Sequence, residues 1–128
     1  MRLLLDTCTF LWVAMDSPEL SKSARTAFSD PANDVFLSSV SAWEISLKHA
    51  RGRLPLAEPP DRFVPRWRIA HAIESLALSE EAVLQLDRLP RLHRDPFDRI
   101  LVCQAITEGL AILTPDELIR QYPVRTSW

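Results

Sequence analysis

The chain has 128 residues, 47% hydrophobic and 25% charged, enough apolar sequence for the core of one ordinary globular domain. Its formal net charge of −2 excludes a nucleic-acid binder that works by overall positive charge, although a local basic stripe can still meet phosphates. With only Gly52 and Gly109 present, the glycine-rich dinucleotide and P-loop motifs are excluded as well.

Arg2 to Leu5 reads as an apolar strand, and Thr7 to Ala14 follows it with a helical pattern. Breakers at Asp16-Ser17-Pro18 and Asp30-Pro31-Ala32-Asn33 precede a second strand, Val35 to Leu37, and a helix from Val40 to Arg51. Beyond Glu58-Pro59-Pro60 a short helix carries Phe63, Val64, Trp67 and Ile69, and Ile73 to Leu78 returns to a strand-like run. Pro96 opens a helix that reaches Glu108, Leu110 to Leu113 forms the last strand, and a short helix starts at Pro115. This alternation predicts an α/β fold with a mainly parallel central sheet flanked by helices, as a single domain over residues 1–128. No apolar run is long enough to cross a bilayer and the N-terminus lacks a signal-peptide pattern, so the expectation is a cytoplasmic protein without membrane contact. Cys8 and Cys103 match no metal-ligand spacing and read as small buried hydrophobes rather than a disulfide.

The acidic residues fall in a pattern. Asp6 ends the first strand and precedes a helix, which sets it at the carboxyl edge of the sheet, where open α/β sheets take ligands. Glu44 shares a helical stripe with Val40, Trp43 and Leu47 and so faces inward. Asp98 repeats the arrangement with Leu101, Val102 and Ala105 at i+3, i+4 and i+7, and Asp116 follows the last strand within three residues. Taken singly, each could be a helix cap: Ser41-Ala42-Trp43-Glu44 has capping-box spacing, and Asp95 is placed to cap the helix opened by Pro96. Four independent caps need not share a sheet edge, however, and carboxylates gathered in a half-buried pocket repel one another unless cations neutralise them. An all-oxygen donor set without paired Cys or His favours Mg²⁺ or Mn²⁺. The chemistry that suits such a site is phosphoryl-ester hydrolysis, in which one or two cations orient and polarise a water and stabilise the leaving oxygen.

The segments Leu3-Leu4-Leu5-Asp6-Thr7, Ser41-Ala42-Trp43-Glu44-Ile45, His93-Arg94-Asp95-Pro96-Phe97-Asp98-Arg99 with Gln104-Ala105 behind it, and Leu113-Thr114-Pro115-Asp116 together resemble the PIN-domain family, in particular its VapC-type toxins. Order, separations and length agree over essentially the whole chain. The resemblance implies an endoribonuclease dependent on Mg²⁺ or Mn²⁺ that cleaves RNA phosphodiester bonds as the toxin of a toxin–antitoxin pair. It implies Asp6, Glu44 and Asp98 as core catalytic acids and metal ligands, with Asp116 a frequent fourth. Asp95 either joins the metal shell or caps its helix, and the cap is the preferred reading. Cys8 stands where many relatives carry a polar residue, and the hydroxyls of Thr7 and Thr114 read first as caps and second as contacts to a metal water.

The implied partners are RNA, a small antitoxin and a second copy of the chain. The apolar stretch Pro59 to Ala72 motivates the homodimer, the alternative being that Phe63, Val64 and Trp67 fill the monomer core. Candidate RNA contacts are Arg94 and Arg99, which flank the acids, and Lys48 and Arg51 at the end of a helix, with a solvated helix face as the alternative for the latter pair. His49, His71 and His93 lack an evident catalytic partner and stay outside the catalytic set. Three rivals stand beside this reading. A phosphatase of the haloacid-dehalogenase type needs a second Asp where Cys8 stands; a PIN-domain nuclease could act in RNA processing without an antitoxin; and a non-catalytic PIN-like RNA- or protein-binding module is disfavoured by the presence of all four acids.

Overall fold

Leu3, Leu4 and Leu5 have no exposed surface, and the rest of the architecture follows from burying both sides of that strand. Successive side chains of a strand point to opposite faces, so a continuous apolar run requires cover on each face. The computed structural model describes all 128 residues and supplies that cover with helices on both sides of a five-stranded sheet. In chain order the elements are β1 (Arg2–Leu5), α1 (Thr7–Ala14), α2 (Lys22–Ser29), β2 (Asp34–Ser38), α3 (Ser39–Ala50) and α4 (Pro60–Ala70). They continue with β3 (Glu74–Leu76), α5 (Glu80–Leu84), a 3-10 turn (Gln85–Arg88), α6 (Pro96–Glu108), β4 (Ala111–Leu113), α7 (Glu117–Arg120) and β5 (Thr126–Ser127). The α/β fold with a parallel sheet expected from the sequence is the fold observed. Sequence reading omitted α2, α5 and β5: α2 has a single buried residue, Ala24, and β5 has only two residues, so neither carries much periodic signal.

All strands are parallel, in the order β3-β2-β1-β4-β5, with Leu3 opposite Val35 and Ala111, and Leu4 opposite Phe36 and Ile112. On one face Leu3, Leu5, Val35, Leu37 and Leu113 pack with Phe10 and Val13 of α1, Ile45 of α3, and Phe63 and Val64 of α4. On the other, Leu4 and Ile112 pack with Leu101, Val102 and Ala105 of α6. Each such fully buried Leu or Ile contributes on the order of 1.5–3 kcal/mol. The apolar residues of α4 therefore divide: Phe63 and Val64 are core, Trp67 is partly buried against them, and only Ile69, 68% exposed, remains free for a partner.

The chain winds from β1 outward to β2 and β3, then returns past β1 to β4 and β5. The crevice at the carboxyl ends of β1 and β4 is thus the point where the winding reverses, the usual ligand position in such sheets. A buried polar contact holds the next elements over that crevice. Ser38, which caps α3 by accepting from the Val40 amide (3.0 Å), also donates to Gln104 Oε1, and Gln104 Nε2 donates to the Ala77 carbonyl (3.3 Å). This fixes α6 against β2 and the start of α3.

Candidate active site

Asp6, Glu44, Asp95, Asp98 and Asp116 line one cavity of about 350 Å³ at the carboxyl edge of β1 and β4, together with Thr7, Cys8, Lys48 and Arg53. Three of the five acids reach it as helix caps. The Asp6 carboxylate accepts from the Thr9 amide (2.7 Å) at the start of α1, Asp95 from the Phe97 and Asp98 amides (2.9 and 3.2 Å) at the start of α6, and Asp116 from the Leu118 amide (2.8 Å) at the start of α7. In each case a single oxygen, Oδ1, serves the backbone, leaving Oδ2 for other partners. Capping and clustering, which compete in the sequence, coincide here because three helix N-termini are aimed at one crevice.

Glu44 is different. It lies in the middle of α3, whose N-cap is Ser38, so the Ser41-to-Glu44 capping box suggested by spacing does not form. Only 4% exposed, Glu44 accepts from the Thr7 hydroxyl (2.7 Å) and the Lys48 ammonium (2.5 Å). The buried stripe of α3 runs through Val40, Ser41, Glu44 and Ile45, and Trp43 is 61% exposed, packing edge-on against Phe97 (4.8 Å between centroids). The expectation that Trp43 shares the buried stripe is thereby corrected: the helix packs with its Ser41 and Ile45 side inward, Ser41 against Thr7, and Trp43, about 100° round the helix from Glu44, falls on the outer side. Thr7 does not act as a cap, since Asp6 occupies that position. Thr114 does not cap a helix either, since Asp116 is the cap of α7; its hydroxyl accepts from the Asp116 amide (3.0 Å) and donates to Asp6 Oδ2.

The electrostatics follow from this crowding. The Asp98 carboxyl is pushed from its ordinary 3.8 up to about 6, first by burial and then by the charges of Asp95, Asp116 and Glu44, against the lowering effect of a hydrogen bond from His93. Asp6 is also raised, by burial and Asp116, despite hydrogen bonds from Thr114 and Thr9 that favour its charged form. Burial pulls Lys48 down, but the hydrogen bond to Glu44 and the charges of Glu44, Asp95 and Asp98 outweigh it, and the ammonium ends above its ordinary value. Cys8 is exposed at the cavity, not buried as expected, because Asp6 and Thr7 before it and Thr9 and Phe10 after it take the inward positions of α1. Partial burial and the charges of Asp6, Asp116, Asp98 and Glu44 push its thiol up to about 12. Cys103 is buried, and the two cysteines are free.

One residue that sequence reading left without a partner has two here. His93, flanking the cavity from the loop before α6, has Nε2 3.2 Å from Asp98 Oδ2 and Nδ1 2.7 Å from the Tyr122 hydroxyl. That hydroxyl also accepts from Arg99 Nη1 (3.1 Å) and the His93 amide (3.3 Å), which occupy its two lone pairs. Its own hydrogen must then go to Nδ1, so the proton of the neutral ring sits on Nε2 and points at Asp98. Tyr122 lies 29 residues beyond His93, and no local spacing announces the contact.

Four of the expected basic contacts also have definite positions. Lys48 is in the cavity, paired with Glu44; Arg51 is exposed as the cap of α3 and lies outside it, while Arg53, two residues on, is inside. Arg94 and Arg99 line a second, separate cavity on the far side of His93.

A divalent cation fits the donor set: five hard carboxylates converge on one crevice, two of them raised by burial and mutual repulsion, with one lysine paired into the cluster. As the side chains stand, no three carboxylates close into a cage, and Lys48 and the threonine hydroxyls engage oxygens of Glu44 and Asp6. The profile of the PIN domain matches residues 3–124. The chain belongs to the PIN-domain family. PIN domains are nucleases, which supports a hydrolase acting on nucleic acid. No curated protein matches the sequence. In three dimensions this PIN domain is similar to VapBC2 from Rickettsia felis bound to a DNA fragment from its promoter, with TM-score 0.72 and 13% identity over 99% of this chain and 98% of that one. It is also similar to DNA-bound VapBC from Salmonella typhimurium (TM-score 0.68, 18% identity, 99% and 97% covered) and FitAcB from Neisseria gonorrhoeae (0.61, 18%, 97% and 95%). At these identities the likeness is one of fold.

Proposed function

We propose that this PIN domain is an endoribonuclease dependent on Mg²⁺ or Mn²⁺, and that it is the toxin of a toxin–antitoxin pair. The observation that carries the catalytic reading is the meeting of Asp6, Glu44, Asp98 and Asp116 in one cavity. Asp6, Glu44, Asp98 and Asp116 would hold the cation, with the second oxygen of Asp95 available beside its cap. When bound there, Mg²⁺ or Mn²⁺ supplies charge that offsets the phosphodiester and lowers the pKa of a water. The chain's own groups do the rest: Thr114 and Thr7 hold the Asp6 and Glu44 carboxylates in place, the His93 N–H holds one oxygen of Asp98, and Lys48 brings a cation to the side where a substrate phosphate would lie. Hydrolysis forms a bond from water oxygen to phosphorus and breaks the bond to the leaving ribose oxygen, which takes up a proton. No protein nucleophile is required.

The toxin reading is supported by family membership and by structural neighbours that are VapBC complexes. We assign as partners a small antitoxin covering the acidic cavity with a basic segment and, through the exposed side of α4 around Ile69, a second copy of the chain. Lys48 and Arg51 on α3 and Arg94 and Arg99 near α6 are the proposed RNA contacts, and the cytoplasm is the proposed compartment, no helix being long and apolar enough to cross a membrane. The test is incubation of the purified protein with a mixed RNA pool and with single-stranded DNA, in Mg²⁺ or Mn²⁺ and in chelator, with mapping of new 5′ ends. Cleavage of RNA alone, abolished by chelator, is expected; cleavage that persists in chelator, or none in either metal, would sink the assignment.

A further inference from the structure

A second cavity, about 590 Å³, adjoins the acidic one, with Arg91, Arg94 and Arg99 in its wall against the single carboxylate of Asp87. His93 lines this cavity and its Nε2 contacts Asp98, which lines the other, so His93 stands between the two. The arginines are not there to neutralise the protein's own acids. Neither Arg91 nor Arg94 enters an ion pair, and Arg99 is held by its Nη1 on the Pro90 carbonyl (2.9 Å) and the Tyr122 hydroxyl, leaving its other N–H groups unpartnered. Guanidinium groups gathered in a concave site without acidic partners suit a phosphate, which they grip in bidentate fashion. The volume is generous for a phosphate alone, and Leu92 offers an apolar surface for a ribose or base.

We infer that this basic cavity binds the nucleotide next to the scissile phosphate, the strand crossing the His93 partition from the arginines to the acids. The inference rests on the nuclease reading of the acidic cavity and assigns the register of the substrate. It follows from charge as much as from proximity: five carboxylates repel a polyanion until cations are bound, so the neighbouring phosphate is the one that the chain can hold by itself. Arg99 and His93 both contact the Tyr122 hydroxyl, so a phosphate held on Arg99 presses on the same network that orients Asp98.

The test is fluorescence anisotropy with a labelled eight-nucleotide RNA in EDTA, where cleavage is absent, comparing wild type with the double variant Arg91→Gln/Arg94→Gln. A Lys22→Gln/Arg125→Gln variant removes the same charge from exposed positions outside both cavities. The cavity variant should bind about tenfold more weakly and show a salt dependence shallower by about 0.7 per arginine removed, while the control stays within about twofold of wild type. The rise in melting temperature with Mn²⁺ should be the same in all three proteins, since the acidic cavity is untouched. Equal weakening in the two variants overturns the inference, as does binding of poly-glutamate to wild type as tightly as RNA with loss of both in the cavity variant, which would make the site one for an acidic peptide. If the RNA binds through these arginines but is never cut, the basic cavity remains an RNA-binding site, while the nuclease reading falls and the register relative to a scissile phosphate falls with it. If RNA is cut and the cavity variant behaves like the control, the nuclease reading stands and the inference falls.

Discussion

At the residue scale the acidic cavity is a place where stability and function oppose each other. Asp98 titrates at about 6 in the folded protein against an ordinary 3.8, so between those values the folded state carries a proton that the unfolded state has lost. By linkage the metal-free protein becomes less stable as pH rises from about 4 to about 6, and Asp6, raised in the same direction, adds to the decline. Urea titrations in chelator should record that fall, and Asp98→Asn should flatten it and stabilise the protein at pH 7 by about 1–2 kcal/mol while reducing cleavage to background. Asp6→Asn should likewise remain folded and lose cleavage, because an amide oxygen can still cap α1; full activity in either variant contradicts the ligand roles. For His93 the expectation is a positioning effect through Asp98. His93→Ala should lower kcat and weaken Mn²⁺ binding by about tenfold to a hundredfold with KM little changed, and His93→Gln, which keeps a donor, should recover part of both. A pure folding defect would move none of these selectively.

At the scale of the element, one residue, Asp95, both starts α6 and faces the cavity. Pro96 at the first helical position has no amide hydrogen to satisfy, and Asp95 accepts from the next two amides. Asp95→Ala should therefore lower stability by about 1 kcal/mol, whereas Asp95→Asn should retain the cap. Cleavage measured on the Asn variant then separates the two roles: activity near wild type marks a cap only, and a loss beyond tenfold marks a ligand. The far end of α6 is as strict. Gly109 stands at φ +68° in the left-handed region that closes the helix before β4, and Gly109→Ala should cost about 1 kcal/mol in thermal unfolding although nothing crowds the added methyl.

For the whole molecule, occupancy of the acidic cavity should raise the melting temperature in proportion to the logarithm of divalent-ion concentration, and Asp6→Asn should blunt the rise, since a ligand confined to the folded state stabilises it by mass action. An unchanged melting curve at millimolar Mg²⁺ and Mn²⁺ argues against a metal centre. The proposed dimer is tested at α4. Trp67 packs on Phe63 (6.5 Å between centroids) and belongs with the monomer core, so its truncation confounds folding with assembly. Ile69→Glu alters only the exposed side, and light scattering should find this variant monomeric where wild type is dimeric; a wild-type monomer across micromolar concentrations removes the dimer.

The amino-acid sequence determined the strand–helix alternation and the inward positions of Asp6, Glu44 and Asp98, because apolar periodicity and proline placement are local and burial enforces them. It determined the motif Arg94-Asp95-Pro96-Phe97-Asp98 as a capped helix start for the same reason. The buried face of α3 was less legible: apolar residues flank Glu44 on both sides, Trp43 and Leu47 on one and Ile45 on the other, and only packing against the sheet selects the Ile45 side. Only the tertiary structure decided that three caps share one crevice, that Tyr122 sets the His93 proton toward Asp98, and that Arg94 and Arg99 open onto a cavity of their own. Those contacts join residues from distant parts of the chain, and their geometry follows from strand order and helix packing, which local sequence patterns do not encode.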